Sequence, residues 1–186
     1  EDPIALPRLG DEADIYTIGA RAEHAFNDNL GARIEAAYQF GKRENGFTPG
    51  TGDLDAFGVT ARTTWAFRDR MDNRLHLNFE FLSGDDPSTS DNEAFDPLWG
   101  RWPQFSELYV YTMASETRIA EVTNHYRIGP TWEMMPTANT NVSISYYALW
   151  ADERTYGSVG GFGDGYFSGH LAQAFVRHKF NRFVTG

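Results

Sequence analysis

Arg21, Arg33, Arg62, Arg127 and Arg177, together with Lys179, sit at every-second positions of stretches whose intervening residues are largely apolar. Glu23, Glu35, Glu80 and Glu133 share the same phase. A guanidinium group stays charged and presents a planar fork that holds carboxylates through two parallel hydrogen bonds. Rows of Arg and Lys along a wet passage favour anions. This spacing therefore admits two readings. Arg21 with Glu35 and Glu23 with Arg33 can brace one another across neighbouring strands, whereas Arg62, Arg127 and Arg177 have no evident partner in sequence and are the better candidates for selecting a solute. Other chemistry is poorly provided for. There is no Gly-x-Ser-x-Gly, no His-Glu-x-x-His and no cysteine, and the five histidines are scattered, so catalysis and Cys-based metal sites are not expected. The acidic stretch 83–96 lacks the Asp-x-Asp-x-Asp-Gly pattern of a calcium loop and reads as a solvated surface loop. No cofactor is expected.

The elements that would carry these charges are β-hairpins. Tyr16, Ile18, Ala20, Ala22, His24 and Phe26 alternate with Thr17, Gly19, Arg21, Glu23 and Ala25. After Asn27-Asp28-Asn29, Leu30, Ala32, Ile34, Ala36, Tyr38 and Phe40 alternate with Gly31, Arg33, Glu35, Ala37 and Gln39. Period-2 alternation predicts strands with one apolar and one polar face. A three-residue turn pairs Phe26 with Leu30, which sets Glu23 opposite Arg33, Arg21 opposite Glu35 and Tyr16 opposite Phe40. Cross-strand pairs of opposite charge contribute roughly 0.2–1 kcal/mol each. A second hairpin joins Phe57–Arg68 to Leu75–Phe81, and a third joins His125–Met134 to Val142–Trp150. A seventh strand is expected over 166–180, with Leu171 and Phe175 falling awkwardly on its polar side, and an eighth begins at Phe183. Pro130 removes a ladder donor and predicts an edge, bulge or kink. His24 and His178, on the apolar side, are tolerable only near an interface with water.

Runs of this length suit a particular environment. Strands in soluble proteins average about 5–6 residues, while a strand crossing a bilayer needs about 9–11, with an apolar outer face and aromatic girdles. A one-residue slip would turn four charges outward, at about 2–4 kcal/mol for each Arg at midplane. Connections near 27–29, 69–73, 136–140 and 181–182 are short, and those at 42–53, 83–120 and 152–165 are long and polar, as in outer-membrane barrels. The 186-residue chain has a formal net charge of −10, which argues against nucleic acid as a partner. Its negative mean hydropathy is compatible with a barrel whose inner face is wet. The expectation is an all-β, antiparallel, up-and-down transmembrane β-barrel domain spanning 1–186. Seven or eight strands could close alone, but the mixture of small and long charged residues on the inner face fits a wider lumen and a part of a larger barrel. A soluble β-sandwich would instead bury the Tyr16, Ile18 and Phe40 face under a second sheet.

Phe95-Asp96-Pro97-Leu98, followed by the aromatic segment Trp102–Tyr109, resembles the alginate-export family of outer-membrane barrels. Asn124–Pro130 stands in the place of that family's Asn-led strand, Pro136-Thr137 matches the turn after it, and Tyr146–Trp150 and Lys179–Phe183 are similar to its closing region. Ser106 stands where a glycine is commoner, and the family's final strand is absent. The resemblance covers about 5–186 and implies a C-terminal-side portion of a barrel of about 16–18 strands. It further implies a porin of the Gram-negative bacterial outer membrane, embedded in lipid and lipopolysaccharide, that passes small or polymeric anions such as a uronate polysaccharide. The alternative is a structural barrel, or a scaffold for partner proteins, without a transport role. Trp99, Trp102, Phe105 and Tyr109 would form a constriction or stack on sugar rings, or else pack against the barrel rim.

Overall fold

The alternation read from the sequence is realised as backbone pairing. The protein is described here by a computed structural model covering residues 13–44, 51–86, 88–96, 123–153, 166–181 and 184. Seven strands run in chain order: β1 (Ala13–Ala25), β2 (Leu30–Glu44), β3 (Thr51–Ala66), β4 (Arg74–Leu82), β5 (His125–Thr137), β6 (Thr140–Trp150) and β7 (Phe167–His178). They form one antiparallel sheet in which each strand pairs with its sequence neighbour, so that β1 and β7 are outermost among the described strands. Among the described residues there is no helix, hence none long and apolar enough to cross a membrane.

The β1–β2 register is the expected one, with Tyr16 opposite Phe40, Arg21 opposite Glu35 and Glu23 opposite Arg33. The turn explains why. The side chain of Asn27 accepts the N–H groups of Asn29 (2.8 Å) and Leu30 (2.9 Å), while Phe26 N–H donates to the Leu30 carbonyl (2.9 Å). An Asn side chain imitating a backbone turn locks a three-residue loop and thereby the phase of both strands. The same device recurs after β7, where Val184 N–H donates to the Asn181 side chain (3.0 Å) and Phe180 N–H to the Val184 carbonyl (3.0 Å). Between β3 and β4, Asp69 accepts the backbone N–H groups of Met71 and Asn73 and the amide of Asn73 (2.6 Å).

Two expectations are adjusted. At the ends of the stretch 42–53, residues 42–44 and 51–53 are strand rather than loop, because β2 and β3 continue their ladder to Glu44 and Thr51, while 45–50 lie outside the described residues. Pro130 lies in an interior strand. It pairs with Leu77 on β4, and the interruption falls on the β6 side, where neither Gly129 nor Pro130 has a ladder partner. A β-carbon on Gly129 would run into the carbonyl oxygen of Tyr146, so only glycine allows β6 to approach here.

The sheet is inside-out by soluble standards. Its hidden residues are largely polar, including Gln39, His76, Asn78, His125, Arg127 and Ser145. On the other face, Ile18 is 65% exposed, Ile34 50%, Leu77 51% and Ile144 50%, and none of the described residues covers them. The Tyr16–Ile18–Phe40 surface is likewise open, and the described residues contain no second sheet. Near the long connections, an aromatic row crosses this apolar face. Tyr16 stacks on Phe40 (5.6 Å between ring centres), Phe57 meets Phe81, Tyr126 stacks on Trp150 (5.1 Å), and Trp150 meets Phe167. At the opposite ends, His24 and His178 each lie edge-on to a neighbouring ring, Phe26 and Phe180, next to the turns.

Two outcomes test this account. Gly129→Ala drives a methyl group into the β6 backbone and should cost about 1–3 kcal/mol, read as a lowered urea midpoint by tryptophan fluorescence. Hydrogen bonds from the backbone and then the side chain of Asn73 hold the Asp69 carboxyl below its ordinary value of 3.8. That contribution to stability is present above the ordinary value and is lost as pH falls through the depressed one. Asp69→Ala should therefore lower the urea midpoint near neutrality and flatten its fall from about pH 5 to about pH 2.

Candidate functional site

The polar face is built from the inward phase of each strand, and the sheet curls far enough for β2 and β7 to line one groove. The groove encloses about 530 Å³ and brings together Arg33, Arg62, Glu80, Arg127, Glu133 and Arg177. The remaining sequence candidates lie away from it: Arg21, Glu23 and Glu35 belong to the β1–β2 end of the face, and Lys179 follows the end of β7. The opposite-charge positions on β1 and β2 face each other in register, yet the ion pair that forms runs along β1, from Arg21 to Glu23 (3.0 Å). Both partners are largely exposed, so this contact contributes at most about 1 kcal/mol.

Register decides the charge distribution in the groove. Arg33 stands directly opposite Arg62, a like-charged cross-strand pair that is unfavourable unless solvent or an anion intervenes. Arg62 donates through Nε to Asn78 (2.7 Å). Arg127 is buried, donates to Glu80 (3.3 Å) and lies 4.7 Å over the Tyr147 ring. Arg177 faces Asn141, which donates to Glu133 (2.8 Å).

Beneath the charges lies a hydrogen-bonded floor. Thr64 bonds His76 (2.8 Å), and the far ring nitrogen of His76 reaches Glu133 (3.3 Å). Asn78 donates to Thr131 (3.1 Å), whose hydroxyl also meets Ser145 (2.8 Å) and Tyr147 (3.0 Å). These uncharged residues were missed as site residues; their inward parity between Arg62 and Arg127 was the signal that could have found them. Two carboxylates against four guanidinium groups leave the groove cationic, although the chain as a whole is acidic.

The acidic stretch after β4 departs from expectation. Residues 88–91 are exposed, but 92–96 fold inward over the ends of β2 and β3. Asn92 forms a parallel bridge to Leu54, donating to the Asp53 carbonyl (2.7 Å) and accepting from Asp55 N–H (3.0 Å). The Gln39 amide clasps the backbone of Asp96, donating to its carbonyl and accepting its N–H, each at 2.7 Å. The Phe95 ring rests where a β-carbon on Gly58 would be. Gln39 is consequently 1% exposed, and Leu54 and Ala56 are buried. Phe95 and Asp96, the described half of the Phe-Asp-Pro-Leu motif, thus act as a backbone anchor. Trp99, Trp102, Phe105 and Tyr109 lie outside the described residues.

Carboxylates gather beside this anchor. Gly84 N–H donates to Asp152 (3.0 Å), Asp86 N–H to Glu93 (3.2 Å), and Glu93 N–H to Asp85 (3.1 Å). Burial first, then the charges of Asp86, Asp152 and Glu93, push the Glu153 carboxyl above its ordinary range. Among the described residues no group of His, Asp and Glu is placed to hold a metal ion. No protein-family model matches the chain, and no curated protein is significantly similar to it.

Gln39→Ala removes both hydrogen bonds that hold the Asp96 backbone. Leaving such groups without their partner costs about 1–3 kcal/mol, so hydrogen exchange at the Asp96 amide should accelerate about tenfold or more, with β5 and β6 amides unaffected.

Proposed function

We propose that this chain is part of the wall of a bacterial outer-membrane β-barrel, of the alginate-export type, that passes anionic solutes. The observation that carries the reading is the pairing of two faces on a sheet one strand thick. One face is largely apolar and crossed by an aromatic row, and the other is a groove with Arg33, Arg62, Arg127 and Arg177 set against Glu80 and Glu133. An apolar face of this extent is stable against lipid and would associate in water. The alternation apolar-out and polar-in, with short turns at one end and long connections at the other, is how lipid-embedded barrels are built. The seven antiparallel strands form the wall, and further strands complete a ring of about 16–18 in this proposal. Lipid and lipopolysaccharide are the partners of the apolar face, and the cationic groove receives the solute.

A structural barrel or scaffold is the second reading. Segment 92–96 favours it, because a connection folded inward and clasped by Gln39 occupies part of the space a wide lumen would leave open.

Conductance in planar bilayers under a potassium chloride gradient tests the proposal. The reversal potential should report chloride preference, and Arg62→Gln/Arg177→Gln should move it toward zero. Removing two exposed guanidinium groups at roughly 1 kcal/mol each corresponds to about a tenfold or greater loss of anion-to-cation preference. Cation preference in the unaltered protein, or no current, would defeat the transport reading.

A further inference from the structure

The arginines of the groove differ in how far they are already committed. Arg127 is buried, donates to Glu80 and lies over the Tyr147 ring. Arg33 and Arg62 are exposed, line the groove and stand directly opposite each other on β2 and β3. Opposed residues of an antiparallel pair have β-carbons about 4.5–5.5 Å apart, so the two guanidinium groups reach a common point. Glu23, opposite Arg33 on β1, is bound to Arg21 instead. Arg62 is also held in direction, because its Nε donates to the side-chain oxygen of Asn78 (2.7 Å). Asn78 is 3% exposed, and its amide nitrogen donates to the Thr131 hydroxyl (3.1 Å) and the Gly129 carbonyl (3.4 Å). With Nε occupied, the Nη1–Nη2 edge of Arg62 is left as a fork whose spacing matches the two oxygens of a carboxylate. An aspartate at position 78 would cancel the charge of Arg62, whereas the neutral amide fixes its direction and leaves the charge in place.

We propose that Asn78 is a positioning residue that aims Arg62 toward Arg33, and that these two guanidinium groups hold one carboxylate between them as a fixed stop along the groove. The proposal rests on the anion-passage reading and deepens it for the same groove. Positive charge spread over a wall favours anions as a class. A fork fixed in direction does more, because it separates a planar carboxylate, which takes two parallel hydrogen bonds, from a spherical halide, which cannot. The acid group of a uronate meets that requirement. Like charges directly opposed on neighbouring strands are destabilising, so a bound carboxylate also relieves the Arg33–Arg62 repulsion.

The test uses the full chain and three probes: acetate, galacturonate and chloride. Titrations in detergent, followed by the NMR line widths of each anion, should show both carboxylates binding more tightly than chloride. Arg62→Lys keeps the charge and loses the fork, and should weaken acetate and galacturonate about tenfold, the equivalent of one charge-assisted hydrogen bond, with chloride changed much less. Asn78→Leu keeps every charge and should do the same. Because Asn78 acts through Arg62, the double variant should lose little more than either single one. Arg62→Lys alters an exposed side chain and decides the matter should Asn78→Leu not fold. In bilayers the acetate-to-chloride permeability ratio should fall in the same variants. Carboxylates binding no better than chloride, or an order that changes only when charge is removed, as in Arg62→Gln, overturns the proposal while the anion-passage reading stands. Carboxylate-selective binding without current supports the Arg33–Arg62 site and defeats the passage.

Discussion

One constraint governs this molecule: every strand must keep the same phase relative to its neighbours. Side chains alternate across a pleated ladder, so a shift of one residue anywhere exchanges the faces of everything downstream. The side chain of Asn27 sets that phase for β1 and β2, and the carboxylate of Asp69 does the same for β3 and β4. With phase secured, Arg62, Asn78 and Arg127 arrive on one face, and Ile34, Leu77 and Ile144 arrive on the other.

The ladder also explains where irregularity is admitted. Glycine at position 129 lets β6 come close to β5, and the missing donor of Pro130 coincides with the gap in pairing on that same side. The wall stays continuous because Pro130 is still opposite Leu77 on β4. At Met134–Thr137 and Leu149–Trp150 the strands change register close to their ends. Deviations therefore sit where they bend the wall without inverting its faces.

Charge is organised on a larger scale than single pairs. Carboxylates collect around 85–93 and 152–153, where the connections meet, and the guanidinium groups collect in the groove. Burial, and after it the charges of Asp86, Asp152 and Glu93, raises the Glu153 carboxyl. The segment 92–96 is held through its backbone, to the side chain of Gln39 and to the backbone of Asp53 and Asp55. A tether made of backbone and amide groups is insensitive to salt, unlike exposed charge pairs.

Local periodicity was enough to determine the strands, the β1–β2 register and the two-faced character, because side-chain direction in a strand depends only on residue parity. The Asn27 turn was legible for the same reason: its length and the hydrophobic phase on both sides leave one register. The tertiary structure alone decided which charges meet. Arg33 keeps Glu23 opposite it on β1, as the β1–β2 pattern predicts, and the β2–β3 register sets Arg62 on its other side. It also decided that Phe95 and Asp96 fold inward, since Gln39 and Gly58 belong to strands about forty to sixty residues earlier, and no local pattern encodes that distance. Curvature decided the rest. Alternation marks Phe175 as inward, but only the curl of the sheet sets it across a groove from the arginines.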